Sequence, residues 1–383
     1  MNRVSNSPLN EANFEDYLVD AFRAEKTIKA LAARINSMLE EAGRPLAIME
    51  VCGGHTHNIV RYNLPGLLHD NLRFIHGPGC PVCIMPRGRV DHAIALAKQP
   101  DVILVTLGDM LRVPGSSSSL QQERAAGADI RFVYSPLEVL TIAKDHPGKK
   151  VIFFAIGFET TTPMTAALLQ RVIETGSKNV WFHMNHVLVC PAVHAVLSDD
   201  TNQVDALIAP SHVSVITGAE IYRFIVDEYK KPVVVGGFEP VDILESTMML
   251  VEQLLQGDVD LRVQYTRNAD FKGNLEAQQL ISKYFRIAES FQWRGLGEIP
   301  ASSLQLRSEF AEFDAELHFA GILPSVSTPD HKLCLCPSIL KGKANPVDCR
   351  LFGRACTPAS PLGACMVSSE GACASYYKYG APR

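Results

Sequence analysis

The stretch KVIFFAIGFETTTPMTAALLQRVIETG, residues 150–176, decides the fold. From Val151 to Ile156 every residue is apolar, and most are β-branched or aromatic. A strand with one wet face alternates, whereas an unbroken apolar run of this length reads as a strand covered on both sides. The run stops at Gly157. Pro163 then suits the first turn of a helix, and MTAALLQRVIETG keeps helical apolar spacing until Gly176 closes it. Strand, loop and helix in that order are half of a parallel β–α–β unit.

The same pattern recurs on either side. LAIMEV runs into Cys52, LRFIHG into Cys80, DVILVTLGDM stops at Gly108, and DIRFVYSP leads to the helical LEVLTIAKDH. Downstream, NVWFHMNHV, DALIAPSHV and PVVVGGFEP are short apolar runs that each end in a turn signal or helix start. The expected architecture is two similar parallel-sheet α/β domains, at 45–145 and 146–240. Before them, AFRAEKTIKALAARINSMLEEAG makes 1–44 a helical segment. Residues 241–383 hold helices, from VDILESTMMLVEQLLQ through NLEAQQLISKYFRIAES and part of ASSLQLRSEFAEFDAELHF, and then a cysteine-rich tail.

Composition narrows the chemistry. The chain has 383 residues, a net charge of −5 and ten cysteines. The charge argues against nucleic acid or an anionic membrane as main partner. The start lacks the basic and apolar parts of a signal peptide, and no run reaches the length of a spanning helix. A cytoplasmic protein is expected, where clustered cysteines point to metal or thiol chemistry rather than disulfide staples.

Six of the ten, Cys334, Cys336, Cys349, Cys356, Cys365 and Cys373, crowd a tail rich in Pro and Gly that cannot fold on apolar burial alone. Their irregular gaps lack paired zinc knuckles and favour a [4Fe–4S] cluster over zinc. In an extended stretch Cys334 and Cys336 point to opposite sides, so one of them ligates. The expected set is Cys336, Cys349, Cys356 and Cys373. Upstream, MEVCGGHTHNIV delivers Cys52, His55 and His57 to the end of a strand, and GPGCPVC delivers Cys80 and Cys83. Loops at the carboxyl ends of parallel strands are where α/β proteins place their sites. Glu159 in GFETTTP and Glu239 in GGFEP share that setting. The Thr160–Thr162 hydroxyls suit helix capping, His186 and His212 suit structural roles, and Cys190 reads as a buried small hydrophobe. Phosphate-loop, dinucleotide and nucleophile-elbow motifs are missing.

CGGHTH at 52–57, GPGCPVC at 77–83, GFETTTP at 157–163, GGFEP at 236–240 and the cysteine-rich tail together resemble the HypD family of [NiFe]-hydrogenase maturation factors, over nearly the whole chain. The resemblance implies a scaffold that works with a small HypC-type chaperone. On it an iron centre acquires cyanide, through a HypE-type donor, and carbon monoxide, before the Fe(CN)2CO group passes to the hydrogenase large-subunit precursor. It implies a third domain that carries a [4Fe–4S] cluster and is built partly from the N-terminal segment. Cys52 becomes an iron ligand completed by a partner cysteine, and Cys80 and Cys83 a redox pair able to hold iron. His55 and His57 become donors to the cyanides or to a thiolate. Pro337 stands where the family leads one to expect glycine. Two other readings are an iron–sulfur thiol–disulfide oxidoreductase resembling ferredoxin:thioredoxin reductase, and a zinc-stabilised binding protein.

Overall fold

The computed structural model describes residues 20–326 and 328–380. Strand β5 (Lys150–Gly157) leads through the helix Thr162–Thr175 to β6 (Val180–His186), and the two pair in parallel from Val151↔Val180 to Gly157↔His186. Every β5 residue after Lys150 is buried, as an apolar run covered on both faces requires. With β3 (Val102–Leu107) and β4 (Ile130–Val133) they form a parallel sheet of order β4-β3-β5-β6. A second parallel sheet has the order β2-β1-β7-β8-β9. Its strands are β1 (Leu46–Glu50), β2 (Leu72–His76), β7 (Ala206–Pro210), β8 (Val233–Gly236) and β9 (Leu261–Val263).

The sheets are interleaved in sequence. The chain makes β1 and β2, leaves to build the whole of the other sheet, and returns for β7 to β9. Both halves expected from the sequence, 45–145 and 146–240, therefore give strands to both sheets. Local periodicity records that a segment is a buried strand, but it says nothing about which sheet takes it. This interleaving has a functional consequence. Both passages between the sheets, after β2 and after β6, start at carboxyl ends of strands, so the Cys80–Cys83 loop lies on the seam between the two sheets.

Helix Glu25–Ala42 buries Ala32, Ile35 and Leu39 in the core of the five-stranded sheet and packs along helix Pro240–Gln256, which crosses the expected boundary at 240/241. Beyond residue 256 the chain is less helical than its sequence suggests. KYFRIAES ends in β10 (Phe285–Ile287), which pairs antiparallel with β13 (Leu304–Leu306), and β11 (Ser290–Trp293) and β12 (Gly297–Pro300) form a hairpin. The tail is mostly turns, with helix Ala372–Tyr379 seated on helix Gly53–Arg61. Among the described residues no helix is long and apolar enough to cross a membrane.

Ile35 is fully buried. Replacing it with Ala should lower the unfolding free energy by about 2–5 kcal/mol in chemical denaturation, the usual range for such a deletion.

Candidate thiol and metal site

The site begins with a carboxylate in an apolar strand. Glu50, the last residue of β1, is fully buried, and three donors from three segments converge on it. Its oxygens accept the Cys52 backbone N–H (2.9 Å), the Thr56 hydroxyl and His76 Nδ1 (2.7 Å). His76 thus carries its proton on Nδ1, and Nε2 accepts the Tyr376 hydroxyl from the tail helix (3.3 Å). A buried anion survives only with such a set of partners. This one ties β1, β2, the Cys52 turn and the tail together. The signal was a glutamate inside LAIMEV.

Cys52 lies two residues beyond β1 and is the N-cap of helix Gly53–Arg61. Gly79 lies directly on it: Gly53 N–H donates to the Gly79 carbonyl (3.1 Å), and a Cβ at residue 79 would sit 2.3 Å from the Cys52 Cα and N. Only glycine permits that approach. It seats the Cys80–Cys83 loop against Cys52. Within the loop, the Cys83 N–H donates to the Cys80 sulfur (3.3 Å).

Cys52 is buried, and burial followed by the nearby Glu370 pushes its thiol well up. Both ring nitrogens of His212 lie 3.8 Å from its sulfur. His212, expected to be structural, is therefore a site residue. It follows β7, whose carboxyl end opens on the same seam as that of β1. Burial, with His55 nearby, pushes His212 down to about 4, so its imidazole is neutral at pH 7. His55 is fully buried, and its Nε2 faces the carbonyls of Gly236 (3.2 Å) and Gly237 (2.9 Å). It therefore bears its proton there, and its Nδ1 lone pair has no partner. Phe238 packs against both imidazoles, at 4.6 and 4.9 Å between ring centres.

The other expected residues are placed elsewhere. His57 turns to the tail, with Nδ1 on the Ser369 carbonyl (3.1 Å) and Nε2 by the Tyr379 hydroxyl (3.3 Å). Glu239 caps helix Pro240–Gln256 and is held bidentate by Arg23 (2.5 and 2.8 Å). Glu159 is buried: Oε1 accepts the Val189 N–H (2.9 Å), Oε2 has no partner, and burial lifts the acid to about 7. The Thr161 and Thr162 hydroxyls donate to the Phe158 carbonyl instead of capping the helix. His186, expected to be structural, is buried and bonded to Thr165 Oγ1 (2.8 Å).

In the tail, Cys334, Cys336, Cys349, Cys356 and Cys373 line one small cavity closed by Ile339, Leu351, Phe352 and Met366. Cys334 and Cys336 do not point to opposite sides. Leu335 has φ −94° and ψ 8°, a bridge conformation rather than an extended one. Both sulfurs come within 2.7 Å of where a Gly363 Cβ would stand. Cys365 lies outside the cavity as the acceptor of the Cys336 and Cys83 thiols, which hold it down to about 6. Sulfur therefore runs from Cys80 through Cys83 and Cys365 to Cys336.

One further cluster has ligand-type residues. Atoms of His92, His183 and Glu316 lie within 4.8 Å of one another. Their hydrogen bonds already use the imidazole lone pairs. Arg89 Nε fixes the Asn185 amide (2.6 Å), whose Nδ2 donates to His183 Nδ1 (2.9 Å). His183 Nε2–H then donates to His92 Nδ1 (3.2 Å), and His92 Nε2–H to the Pro324 carbonyl (3.1 Å). That is a directed chain joining three segments.

Thiol loops on the seam of two parallel sheets, beside a five-cysteine pocket, make this a cysteine-rich α/β protein whose donor sets are compatible with metal handling. Comparison with known proteins is more specific. Residues 26–380 match the family model described as "HypD: Hydrogenase formation hypA family". The chain is 50% identical to the hydrogenase maturation factor HypD of Azotobacter vinelandii, over 95% of this chain and 97% of that one. It is also 50% identical to the hydrogenase expression/formation protein HupD of Azotobacter chroococcum, with the same coverage, and 44% identical to HypD of Escherichia coli, over 94% and 97%. The chain belongs to the HypD family of hydrogenase maturation factors.

Glu159 supplies a pH test. Its folded-state value lies above that of an unfolded glutamate, so its contribution to stability is full in acid and is lost as pH rises toward about 7. Glu159→Gln lacks this loss. Its stability relative to the parent should increase between about pH 4.5 and 7 and level off above, in denaturation series across that range.

Proposed function

We propose that this protein is the scaffold on which an iron centre receives cyanide and carbon monoxide, in complex with a HypC-type chaperone. A HypE-type donor delivers the cyanide, and the hydrogenase large-subunit precursor receives the product. The observation that carries this reading is the seating of Gly79 on Cys52, with His212 at 3.8 Å, which gathers two thiol loops and a neutral imidazole at one point. Low-spin ferrous iron with strong-field diatomic ligands suits soft thiolates. Cys52 provides one, and a partner cysteine completes the site. The buried, unpartnered Nδ1 of His55 is a second nitrogen lone pair in the same shell. Because burial holds Cys52 in its thiol form, iron must displace a proton to bind, and affinity should rise with pH.

The tail pocket fits a [4Fe–4S] cluster in its donor set: five thiols and otherwise apolar walls. Cys349, Cys356 and Cys373 would hold it together with Cys334, which leaves the neighbouring Cys336 thiol for exchange. When bound there, such a cluster supplies electrons one at a time. The residues around it complete a two-electron exchange. Starting from a Cys80–Cys83 disulfide, the Cys365 thiolate attacks the Cys83 sulfur, forming Cys83–Cys365 and freeing Cys80 as a thiolate. Cys336 then attacks Cys365, leaving Cys336–Cys365 and a reduced Cys80/Cys83 pair. In that disulfide Cys83 has no S–H to donate, so the Cys336 thiol is the donor that favours the attacking Cys365 thiolate. Cys83 is its neighbour, and Cys336 its neighbour on the other side.

Infrared spectra test the reading. Anaerobic, iron-replete protein copurified with its small partner should show bands of bound cyanide and carbon monoxide. Cys52→Ala should abolish both the bands and hydrogenase maturation. A thiol–disulfide oxidoreductase would tolerate Cys52→Ala and turn over a dithiol substrate. A colourless, air-stable, zinc-loaded protein would rule out both.

A further inference from the structure

The surface above the cysteine pocket differs in charge from the rest of the chain. The whole sequence carries −5, yet residues 331–363 hold five cations, Lys332, Lys341, Lys343, Arg350 and Arg354, against one acid, Asp348. Lys332, Arg350 and Arg354 are exposed. Among them lie two large apolar side chains that packing would normally cover: Leu333 is 50% exposed and Val347 51%. The patch is tied to the pocket beneath it. The Cys349 thiol, itself buried, donates to the Leu333 carbonyl (3.6 Å), and Val347 and Arg350 flank Cys349 in sequence. Arg354 stands two residues before Cys356, which lines the same pocket. Exposed apolar residues and exposed cations are thus next to one another in the segments that carry the pocket thiols.

From this arrangement we infer that the Lys332–Leu333 and Val347–Arg354 surface docks an acidic, one-electron carrier protein that reduces the thiol line through the tail pocket. The inference rests on the redox reading of that line. Charge complementarity selects the occupant: cations at this surface attract an acidic partner and repel the same surface of a second copy. A small apolar centre inside a charged rim suits a brief encounter, and electron-transfer contacts are the small ones among protein interfaces. The electrons balance. Two carrier molecules each lose one electron. The Cys80–Cys83 S–S bond breaks and takes up those two electrons with two protons from solvent, giving two thiols.

The probe is flavodoxin hydroquinone, an acidic one-electron donor. It is mixed anaerobically with full-length protein whose cluster has been reconstituted and whose Cys80 and Cys83 have been oxidised. Flavin reoxidation is followed by absorbance, and thiols are counted by alkylation and mass spectrometry. The parent rate should fall steeply with salt. The triple reversal Lys332→Glu, Arg350→Glu, Arg354→Glu should slow it by about tenfold or more at low salt. Dithiothreitol, an uncharged small reductant, should generate the Cys80 and Cys83 thiols equally fast in both proteins, which shows that the disulfide is equally reducible, and matching thermal unfolding curves show that the variant is folded. Leu333→Ser should weaken the flavodoxin reaction without changing its salt dependence. Equal flavodoxin rates in parent and triple variant, or a rate indifferent to salt, would overturn the docking surface while leaving the thiol line intact. Failure of flavodoxin to reduce Cys80–Cys83 in the parent, when dithiothreitol does so, would instead overturn the redox reading from which the surface was inferred.

Discussion

Backbone packed on backbone at Gly79 and Cys52 is the constraint on which the site depends. No methyl group fits between them, so the Cys80–Cys83 loop has one seat, and that seat is the turn that presents Cys52. Tight packing of main chain is stiff because neither side can move into a different rotamer to relieve a clash. Sulfurs from segments 28 residues apart thereby stay together without a covalent link, and all ten cysteines remain free.

The Glu50 hub holds the seat in place. A buried carboxylate with a backbone amide, a hydroxyl and an imidazole aimed at it is satisfied, but losing any one donor leaves a costly anion. The hub therefore couples the Cys52 turn to β2 through His76, and to the tail helix through Tyr376. His57 adds a second attachment of the same helix. The tail, unable to build a core of its own, leans on the site it serves, and this explains how a pocket of five cysteines comes to lie one thiol, Cys365, away from Cys83.

Burial also sets the electrostatics. Around Cys52 the imidazoles are kept neutral and the thiol protonated, because an uncompensated charge there would be desolvated. Neutral imidazoles offer lone pairs rather than positive charge, which suits metal binding better than thiol activation. Cys365 is the exception: two thiol donors favour its anion. Within one protein, identical side chains are thus pushed in opposite directions, Cys52 up by burial and Cys365 down by its thiol donors.

Much was legible in the linear chain. Unbroken apolar runs ending in glycine mark buried parallel strands, since a residue's hydrophobicity and its place in a run are local properties. The cysteine clusters and the GPGCPVC and CGGHTH turns were visible for the same reason. The assignment of strands to sheets was decided only in three dimensions, because interleaving is a matter of which edges pair and leaves no periodic trace. So was the site membership of His212, which carries no motif and acts because β7 inserts beside β1. Glu239 and His57 had the setting of site residues yet serve as a helix cap and a tail anchor, since Arg23 and Ser369 reach them from distant segments. Cys334 and Cys336 converge because Leu335 turns the backbone between them. A sequence states which groups exist and how far apart they are along the chain; which of them touch depends on long-range packing, and packing selects among many contacts of similar local plausibility.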